Sequence, residues 1–305
     1  MKNYKGYQAN FLGKELIVPL PELNKELAKT VAPVKKTKDN ILRYPNYSVV
    51  QSASRKFPIY SAANINGKLF KSITRKEVKG SWKKDRRISL DHQWGKELYA
   101  APKSDFDKGH LTKREDVQWS RITERAKLAA KETFYYTNAA PQHKNLNQAL
   151  WRRIEDYILH KETIDEGLKV SVFTGPVLKT NDPFFVNEVR NQSVQIPALY
   201  WKVVYYIKKG KLHQVGFLAG QEGILRRKKI VKPPSTSRGK PKDNFMGFGE
   251  ADTYQVKVEL LEAITGLKFP KAKELLVDQR PQKLILEEVT LRGSEKQIFI
   301  NGLVS

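Results

Sequence analysis

Cysteine is absent from the 305-residue chain, which excludes disulfides, thiolate metal sites, iron–sulfur clusters and cysteine nucleophiles. A bound metal would therefore need nitrogen or oxygen ligands. No segment reaches the roughly 18 consecutive apolar residues that a membrane-spanning helix needs, and the N-terminus lacks the apolar core of a signal peptide. The sequence predicts no membrane partner, and a location in the cytoplasm or export by a route without a signal peptide.

Several common catalytic patterns are also missing. The five histidines include no pair spaced four residues apart and no H-E-x-x-H zinc motif; they are His92, His110, His143, His160 and His213. The chain has no G-x-S-x-G nucleophile elbow and no Walker phosphate loop. A multi-histidine zinc centre is thus disfavoured, whereas phosphate chemistry by one histidine with a hard divalent ion stays open.

Negative charge is scarce, with 32 Asp and Glu against 56 Lys and Arg, for a net charge of +24. The 40% hydrophobic content is that of a folding chain and not of a disordered polycation. Such an excess opposes folding unless a polyanion cancels it, which favours nucleic acid as the partner. An anionic membrane is the alternative, but the basic amphipathic helix that it would need is lacking.

The apolar pattern divides the chain into an N-terminal extension (1–45), a main domain (46–280) and a C-terminal extension (281–305). The mixture of strands and helices lacks regular βαβ alternation, which predicts an α+β fold. The clearest predicted helix covers 141–162, where apolar residues recur every four positions. Predicted strands cover YSVVQSAS, RKFPIYSAANI, LFKSITRKEV, TFYYTNAA, LKVSVFTGPVL, IPALYWKVVYYIKK and KLHQVGFLAG. Residues 223–248 are predicted to be a mobile loop, and VKVELLEAITGL a helix closed by Gly266.

Two groups of polar residues could carry phosphate chemistry. In Asp107-Lys108-Gly109-His110, the glycine allows close approach of substrate and the lysine can reach the same phosphate, although an isolated His near a Lys is commonly a surface feature. Asn147 and Glu155 lie eight residues apart on the predicted helix, about 12 Å, and can face one cleft. Their oxygens suit Mg²⁺. The alternative is a helix cap and a solvated carboxylate.

The segment DFDKGHLTKREDVQW resembles the Asp-Arg-Gly-His signature of the DNA/RNA non-specific endonucleases, the ββα-metal family that includes secreted bacterial nucleases and mitochondrial endonuclease G. TFYYTNAAPQHKNLNQALWRRIE is similar to the next block of that family. VFTGPVL, IPALYWKVVYY, GFLAGQE and YQVKVELLEAITGL follow in the family's order. The resemblance covers roughly residues 45–270 and implies a ββα-metal nuclease fold, with a central, mainly antiparallel sheet flanked by helices.

Roles for individual residues follow from this resemblance. His110 would be the general base that activates water, Asn147 the direct protein ligand of Mg²⁺ or Mn²⁺, and Glu155 the residue that orients metal-bound waters. Asp107 and Asn138 would support the site without touching substrate. The implied reaction is cleavage of DNA and RNA with little sequence preference, leaving 5′ phosphates.

Lys108 departs from the family, which usually has Arg at this position. Lysine keeps the charge but loses the two-pronged grip on phosphate, so either the rate is lower or Arg114 compensates. The family also has an upstream arginine that contacts the substrate phosphate; its candidates here are Lys79, Lys83, Arg86 and Arg87. The alternative function is a catalytically weak nucleic-acid-binding protein that keeps the nuclease fold.

The sequence also leads to expectations about binding partners. Four basic clusters fit binding to a nucleic-acid backbone without base readout: Lys35–Lys38, Lys83–Arg87, Arg226–Lys229 and Arg238–Lys242. Homodimerisation is implied by the resemblance alone. An active nuclease threatens the genome of its own cell, so an inhibitor or regulatory protein partner is also expected.

Overall fold

The computed structural model describes residues 4–148, 150–156, 163–232, 252–276, 278, 280–290, 296–301 and 303–304. Its strands are β1 (Glu22–Leu23), β2 (Leu42–Tyr44), β3 (Tyr47–Gln51), β4 (Pro58–Asn66), β5 (Phe106–His110), β6 (Ala139–His143), β7 (Lys169–Val177), β8 (Leu199–Lys208), β9 (Lys211–Gly220), β10 (Thr253–Val256), β11 (Leu267–Lys268), β12 (Lys273–Glu274), β13 (Gln282–Lys283), β14 (Ile285–Thr290) and β15 (Lys296–Asn301). Its α-helices are α1 (Lys25–Lys29), α2 (Lys96–Tyr99), α3 (Thr123–Lys131), α4 (Lys144–Gln148), α5 (Leu150–Asp156), α6 (Glu222–Arg227) and α7 (Val258–Thr265).

A large sheet forms the centre of the fold. Within the described residues its strands run in the order β13-β10-β9-β8-β7-β4-β3-β2, and β12 pairs with β9 beside this path. The β12–β9 pairing is parallel and the others are antiparallel. This confirms the predicted α+β fold with a mainly antiparallel sheet.

Both faces of the sheet are covered, as strand β8 shows. Successive side chains of a strand point to opposite faces. Trp201 and Val203 therefore pack with α7 and the N-terminal segment, whereas Tyr200 and Val204 pack with α4 and α5. The second face is the one that supports the polar motifs of the sequence.

The strand pair β5 and β6 lies apart from the large sheet and leads into α4 and α5. Phe106 pairs with His143 at one end of this antiparallel pair, and His110 pairs with Ala139 at the other. The predicted helix over 141–162 was therefore wrong at its start, because residues 141–143 belong to β6. Since β6 runs directly into α4, the arrangement is two strands followed by a helix, as the ββα resemblance implied.

The N-terminal segment packs into the main core. Tyr7, Leu12 and Val18 are buried beside Phe173 and Trp201, and β1 pairs with β11. The described part of the predicted N-terminal extension is thus integrated with the main domain, while its boundary at residue 45 stays a prediction. At the other end, β14 and β15 form an antiparallel pair within the predicted C-terminal extension. No described helix is both long and apolar enough to cross a membrane.

Other local predictions had mixed outcomes. Gly266 ends α7 with a φ of +73°, the left-handed conformation expected of a glycine after a helix. The strand predicted at LFKSITRKEV was wrong: Asn66 caps a short 3₁₀-helix over Gly67–Leu69, accepting a hydrogen bond from the backbone N–H of Leu69. Of the predicted mobile loop over 223–248, residues 223–227 belong to α6, so the prediction was wrong there. Residues 228–232 follow the helix, and 233–248 lie outside the described residues.

Candidate active site

His110 is the last residue of β5, and aromatic rings surround its imidazole. The ring centroid of Trp82 lies 4.5 Å from that of His110 with an interplanar angle of 48°, and Phe134 contributes an edge contact at 5.1 Å and 87°. The side chain is half-buried. Its Nε2 is fully buried and has no hydrogen-bond partner among the described residues, so packing determines how this ring is held.

This surrounding keeps His110 neutral. Burial is the main cause that lowers the pKa of His110 from 6.5 to about 3, and the positive charges of Arg75, Arg114 and Lys113 add to the effect. Only the neutral imidazole can accept a proton. His110 is therefore in the form that a general base requires at neutral pH.

Lys108 lies two residues before His110, so both side chains project from the same face of β5. The Lys108 ammonium is 5.7 Å from the ring centroid of Tyr99. Between them, Gly109 leaves no room for a side chain, because a Cβ there would overlap the amide of Gln142. Asp107 stands three residues before His110 on the same strand, so alternation along β5 places it on the opposite face, where it pairs with Gln142 of β6.

Asn138 fixes the backbone that follows His110. Its side-chain oxygen accepts a hydrogen bond from the N–H of Thr112 (3.0 Å), and its amide group donates to the carbonyl of Thr112 (2.9 Å) and of Thr133 (3.1 Å). Asn138 is fully buried. Geometry of this kind is what the predicted supporting role requires.

The start of α4 is fixed by His143. Its Nδ1 accepts a hydrogen bond from the backbone N–H of Asn145 (3.2 Å), and the carboxylate of Asp105 lies 3.2 Å from Nε2. Burial lowers the pKa of His143, more than Asp105 raises it, so Nδ1 stays available as an acceptor. The backbone of α4 leading to Asn147 is thus anchored to the end of β6.

Helix α5 is tied to the segment after β5. The ammonium of Lys113 forms an ion pair with Asp156 at the end of α5. Trp151 on the same helix is buried, and its ring centroid lies 5.5 Å from the ammonium of Lys202 on β8. Helix α4, which carries Asn147, contacts both strands of the His110 pair. The side chains of Asn147 and Glu155 lie outside the described atoms.

Arg114 takes part in contacts within the protein. Its Nη1 donates to the carbonyl of Ile73 (2.8 Å) and its Nη2 to the carboxylate of Glu115 (2.7 Å). Binding a phosphate would require these bonds to rearrange. A compensating role for Arg114 stays a prediction.

The structure separates the candidates for the upstream arginine. They are Lys79, Lys83, Arg86 and Arg87. Arg87 forms an ion pair with the buried Asp85 at 2.6 Å, and Lys83 lies 3.5 Å from Glu132. The remaining two are exposed, and neither is among the charges that act on His110.

Arg75 was missed by the sequence reasoning. Its guanidinium carbon lies 5.6 Å from the ring centroid of Phe134, which itself contacts His110. The side chain is exposed, and among the charges that act on His110 its effect is the largest. Nothing in the sequence distinguishes Arg75 from the other basic residues, because only the folded chain brings it to His110.

The polar groups here are compatible with a hydrated divalent ion. The described side chains include no cluster of three His, Asp or Glu residues that could hold a metal. Asn147 and Glu155 are not among those side chains. Their amide and carboxylate oxygens are donors of the kind that suits Mg²⁺, which keeps several waters when it is bound.

Comparison with known proteins agrees with this geometry. The sequence profile of the family "DNA/RNA non-specific endonuclease" matches residues 24–274. The chain is 34% identical over 287 residues to Uncharacterized protein y4fB of Sinorhizobium fredii, covering 89% of this chain and 39% of that protein. It is 36% identical over 172 residues to mitochondrial Endonuclease G of Homo sapiens, covering 54% of this chain and 48% of that protein. The chain thus spans less than half the length of either relative.

A solved structure shares the fold. The crystal structure of the EndoG/EndoGI complex, described as revealing the mechanism of EndoG inhibition, matches with a TM-score of 0.50 and 19% sequence identity. The match covers 75% of this chain and 84% of the other. At this identity the likeness extends to the fold alone.

Proposed function

The chain belongs to the DNA/RNA non-specific endonuclease family, and on this basis we propose that it is a metal-dependent nuclease that hydrolyses the phosphodiester bonds of DNA and RNA with little sequence preference. The observation that carries the proposal is the position of His110. It ends a strand that pairs with β6, and β6 leads directly into the helix of Asn147. The match to the family profile over residues 24–274 supports the same interpretation.

Each residue has a defined task in this proposal. The neutral imidazole of His110 takes a proton from the attacking water, and Lys108 holds the nonbridging oxygens of the phosphate. Arg75 supplies the second cation, in the role of the family's upstream arginine. Asn147 and Glu155 would hold Mg²⁺ or Mn²⁺, which supplies positive charge for the phosphoryl and leaving oxygens. Products carrying 5′ phosphates follow if the 3′ oxygen leaves.

An inhibitor protein is a further partner that we propose. Strong positive charge and indifference to sequence make an uncontrolled nuclease harmful to the cell that makes it. The similarity in fold to EndoG, which has been crystallised with EndoGI, supports an inhibited state for this chain as well.

The test is nicking of a supercoiled plasmid, and of a single-stranded RNA, by the purified protein in Mg²⁺. We expect His110→Ala to lower the rate by about 10²–10⁴-fold, the usual contribution of a general base, while binding to DNA persists. His213→Ala, which removes a histidine of β9, should retain most of the activity. Chelator should abolish cleavage by the wild type.

Two results would contradict the proposal. Full activity of His110→Ala would remove His110 from the chemistry, and full activity in excess chelator would remove the metal. A wild type that binds DNA but never cleaves it would support the alternative, a binding protein that keeps the nuclease fold.

A further inference from the structure

His110 lacks the hydrogen bond that ordinarily fixes an imidazole in an active site. A catalytic histidine usually has its tautomer and orientation set by a hydrogen bond at the nitrogen that does not react. In His110 the buried Nε2 has no such partner among the described residues. Among the described residues, the aromatic rings that contact the imidazole are those of Trp82 and Phe134.

The two aromatic neighbours differ in how firmly they are held. Phe134 is 1% exposed, and Gly80 packs so closely on it that a Cβ would overlap its ring. Trp82 is half-exposed and rests against Phe134 and Tyr136, with ring centroids 5.5 and 5.7 Å apart. Phe134 is therefore held rigidly by its packing. Trp82 is more accessible, and its indole covers another side of the imidazole.

We propose that Trp82 is the positioning residue of the general base, and that its indole holds the His110 imidazole in place of a hydrogen bond to Nε2. The proposal rests on the function proposed above. In this arrangement Nδ1 is the nitrogen that takes the proton from water, because Nε2 is buried. Trp82 acts through His110 and need not touch nucleic acid.

The arrangement has an electrostatic consequence with a definite sign. The charged groups that act on His110 from the segments around it are Arg75, Arg114 and Lys113, and all three lower its pKa, as burial does. Removing the indole would let water reach the ring, so the pKa should rise from about 3 towards 6.5. Below the new pKa the base becomes protonated, and the variant should lose activity in mild acid, where the wild type retains it.

The decisive experiment compares wild type, Trp82→Phe and Trp82→Ala, with Phe184→Ala as the control that removes an exposed aromatic residue elsewhere. The imidazole of His110 is titrated by NMR in protein with ¹³C-labelled histidine, without metal or nucleic acid, and is assigned with His110→Gln. We expect no titration of His110 between pH 4.5 and 8 in the wild type, Trp82→Phe and Phe184→Ala. In Trp82→Ala we expect a midpoint within that range.

Steady-state plasmid nicking at pH 8 provides the second measurement. Misplacing a catalytic group by about 1 Å can cost up to 10²-fold in rate. We therefore expect kcat of Trp82→Ala to fall about 10- to 100-fold with KM within about twofold, and Trp82→Phe to restore most of kcat. Thermal unfolding of each variant checks that it folds, and Trp82→Phe keeps the test valid if Trp82→Ala does not.

Two outcomes would overturn the proposal. The first is an unchanged titration of His110 in Trp82→Ala. The second is a rise in KM of Trp82→Ala with kcat unaffected, which would mean that the indole binds nucleobases of the substrate instead of positioning His110. If the wild type cleaves nothing, the function proposed above fails. The NMR titration still decides whether Trp82 controls the imidazole.

Discussion

At the scale of single residues, the proposed function depends on one face of β5, where His110 and Lys108 stand two positions apart. In that proposal they need different surroundings, because a base must stay neutral and a phosphate ligand must stay charged. Burial between rings keeps His110 neutral. Lys108 instead lies half-buried beside the face of Tyr99, where an aromatic ring attracts a cation without neutralising it.

Lys108 stands where the resemblance to the family implies Arg, and substitution there should reveal its role. Guanidinium donates two parallel hydrogen bonds to phosphate and also packs well on aromatic faces such as that of Tyr99. We expect Lys108→Arg to hold or raise the rate of plasmid nicking. Lys108→Ala should lower it by about 10²-fold or more, as for loss of one donor to a transition-state oxygen.

The matched control is Lys96→Ala, which removes the same charge from an exposed position on α2 and should change the rate less than about twofold. Unimpaired nicking by Lys108→Ala would show that position 108 does not touch the phosphate. Impaired nicking by Lys108→Arg, with a stable fold, would show instead that the site has formed around lysine.

Secondary-structure elements were predictable where a local pattern determines them. Strands β3, β4, β7, β8 and β9 follow apolar runs, and the end of α7 follows from Gly266. The pattern failed at residues 141–143, because the spacing of apolar residues contains no information on hydrogen bonds to distant parts of the chain. Here the carbonyl of Pro141 accepts hydrogen bonds from Tyr200 and Gln221, and the N–H of His143 donates to Gln221. The motif identified His110 for the same local reason, whereas Arg75 and the contact of Trp82 with His110 required the tertiary fold.

Gln221 acts as a clamp on β6. Its side-chain oxygen accepts from the N–H of His143 (2.8 Å), and its amide donates to the carbonyls of Pro141 (3.0 Å) and Pro197 (2.7 Å). Gln221 is fully buried. Each polar group left unpaired costs about 1–3 kcal/mol, so we expect Gln221→Ala to lower the free energy of unfolding in urea by about 2–5 kcal/mol and to speed amide exchange at His143.

The comparison variant for this clamp is Gln192→Ala. Because Gln192 is exposed, its substitution should change the free energy of unfolding by no more than about 0.5 kcal/mol. Gln221→Glu should also be destabilising, since a carboxylate accepts from His143 but donates to neither proline carbonyl. Stability of Gln221→Ala equal to that of the wild type would mean that water replaces the clamp at no cost.

At the scale of the whole molecule, the positive charge divides into two populations. Some basic residues are used in ion pairs within the fold, as Arg87 is with Asp85 and Lys83 with Glu132. Lys35, Lys36 and Lys38 are exposed and have no ion-pair partner among the described residues. The cluster Arg238–Lys242 lies outside the described residues. Exposed, unpaired charges are the ones available to a polyanion.

The cluster Lys35–Lys38 borders a groove close to the active site. The groove has a volume of about 770 Å³ and is lined by Lys35, Arg86 and His92 among others, and the N–H of Lys35 donates to the carbonyl of Arg87. Arg86 follows Trp82 by four residues, so at most about 14 Å of extended chain separates them. Trp82 contacts His110, so a nucleic acid that extended from His110 along this groove would meet the cluster.

Binding to duplex DNA should therefore be electrostatic, with part of it due to this cluster. The logarithm of the affinity should fall linearly with the logarithm of salt concentration, with a slope of about −0.9 per neutralised phosphate. We expect the combined change Lys35→Gln, Lys36→Gln and Lys38→Gln to make the slope shallower by about 0.9 for every phosphate that the variant no longer neutralises. Fluorescence anisotropy on random-sequence duplexes, in chelator to prevent cleavage, measures it.

A second triple variant, Lys208→Gln, Lys209→Gln and Lys211→Gln combined, controls for the change in net charge. It removes three exposed lysines at the turn between β8 and β9. Because counterion release counts only the phosphates that are contacted, equal charge changes at the two places should alter the slope unequally, more for the cluster beside the groove. Equal effects would mean that overall charge sets the affinity and that the groove has no special part. A salt-independent affinity, or a strong preference for one sequence, would contradict backbone binding altogether, since base contacts would then dominate.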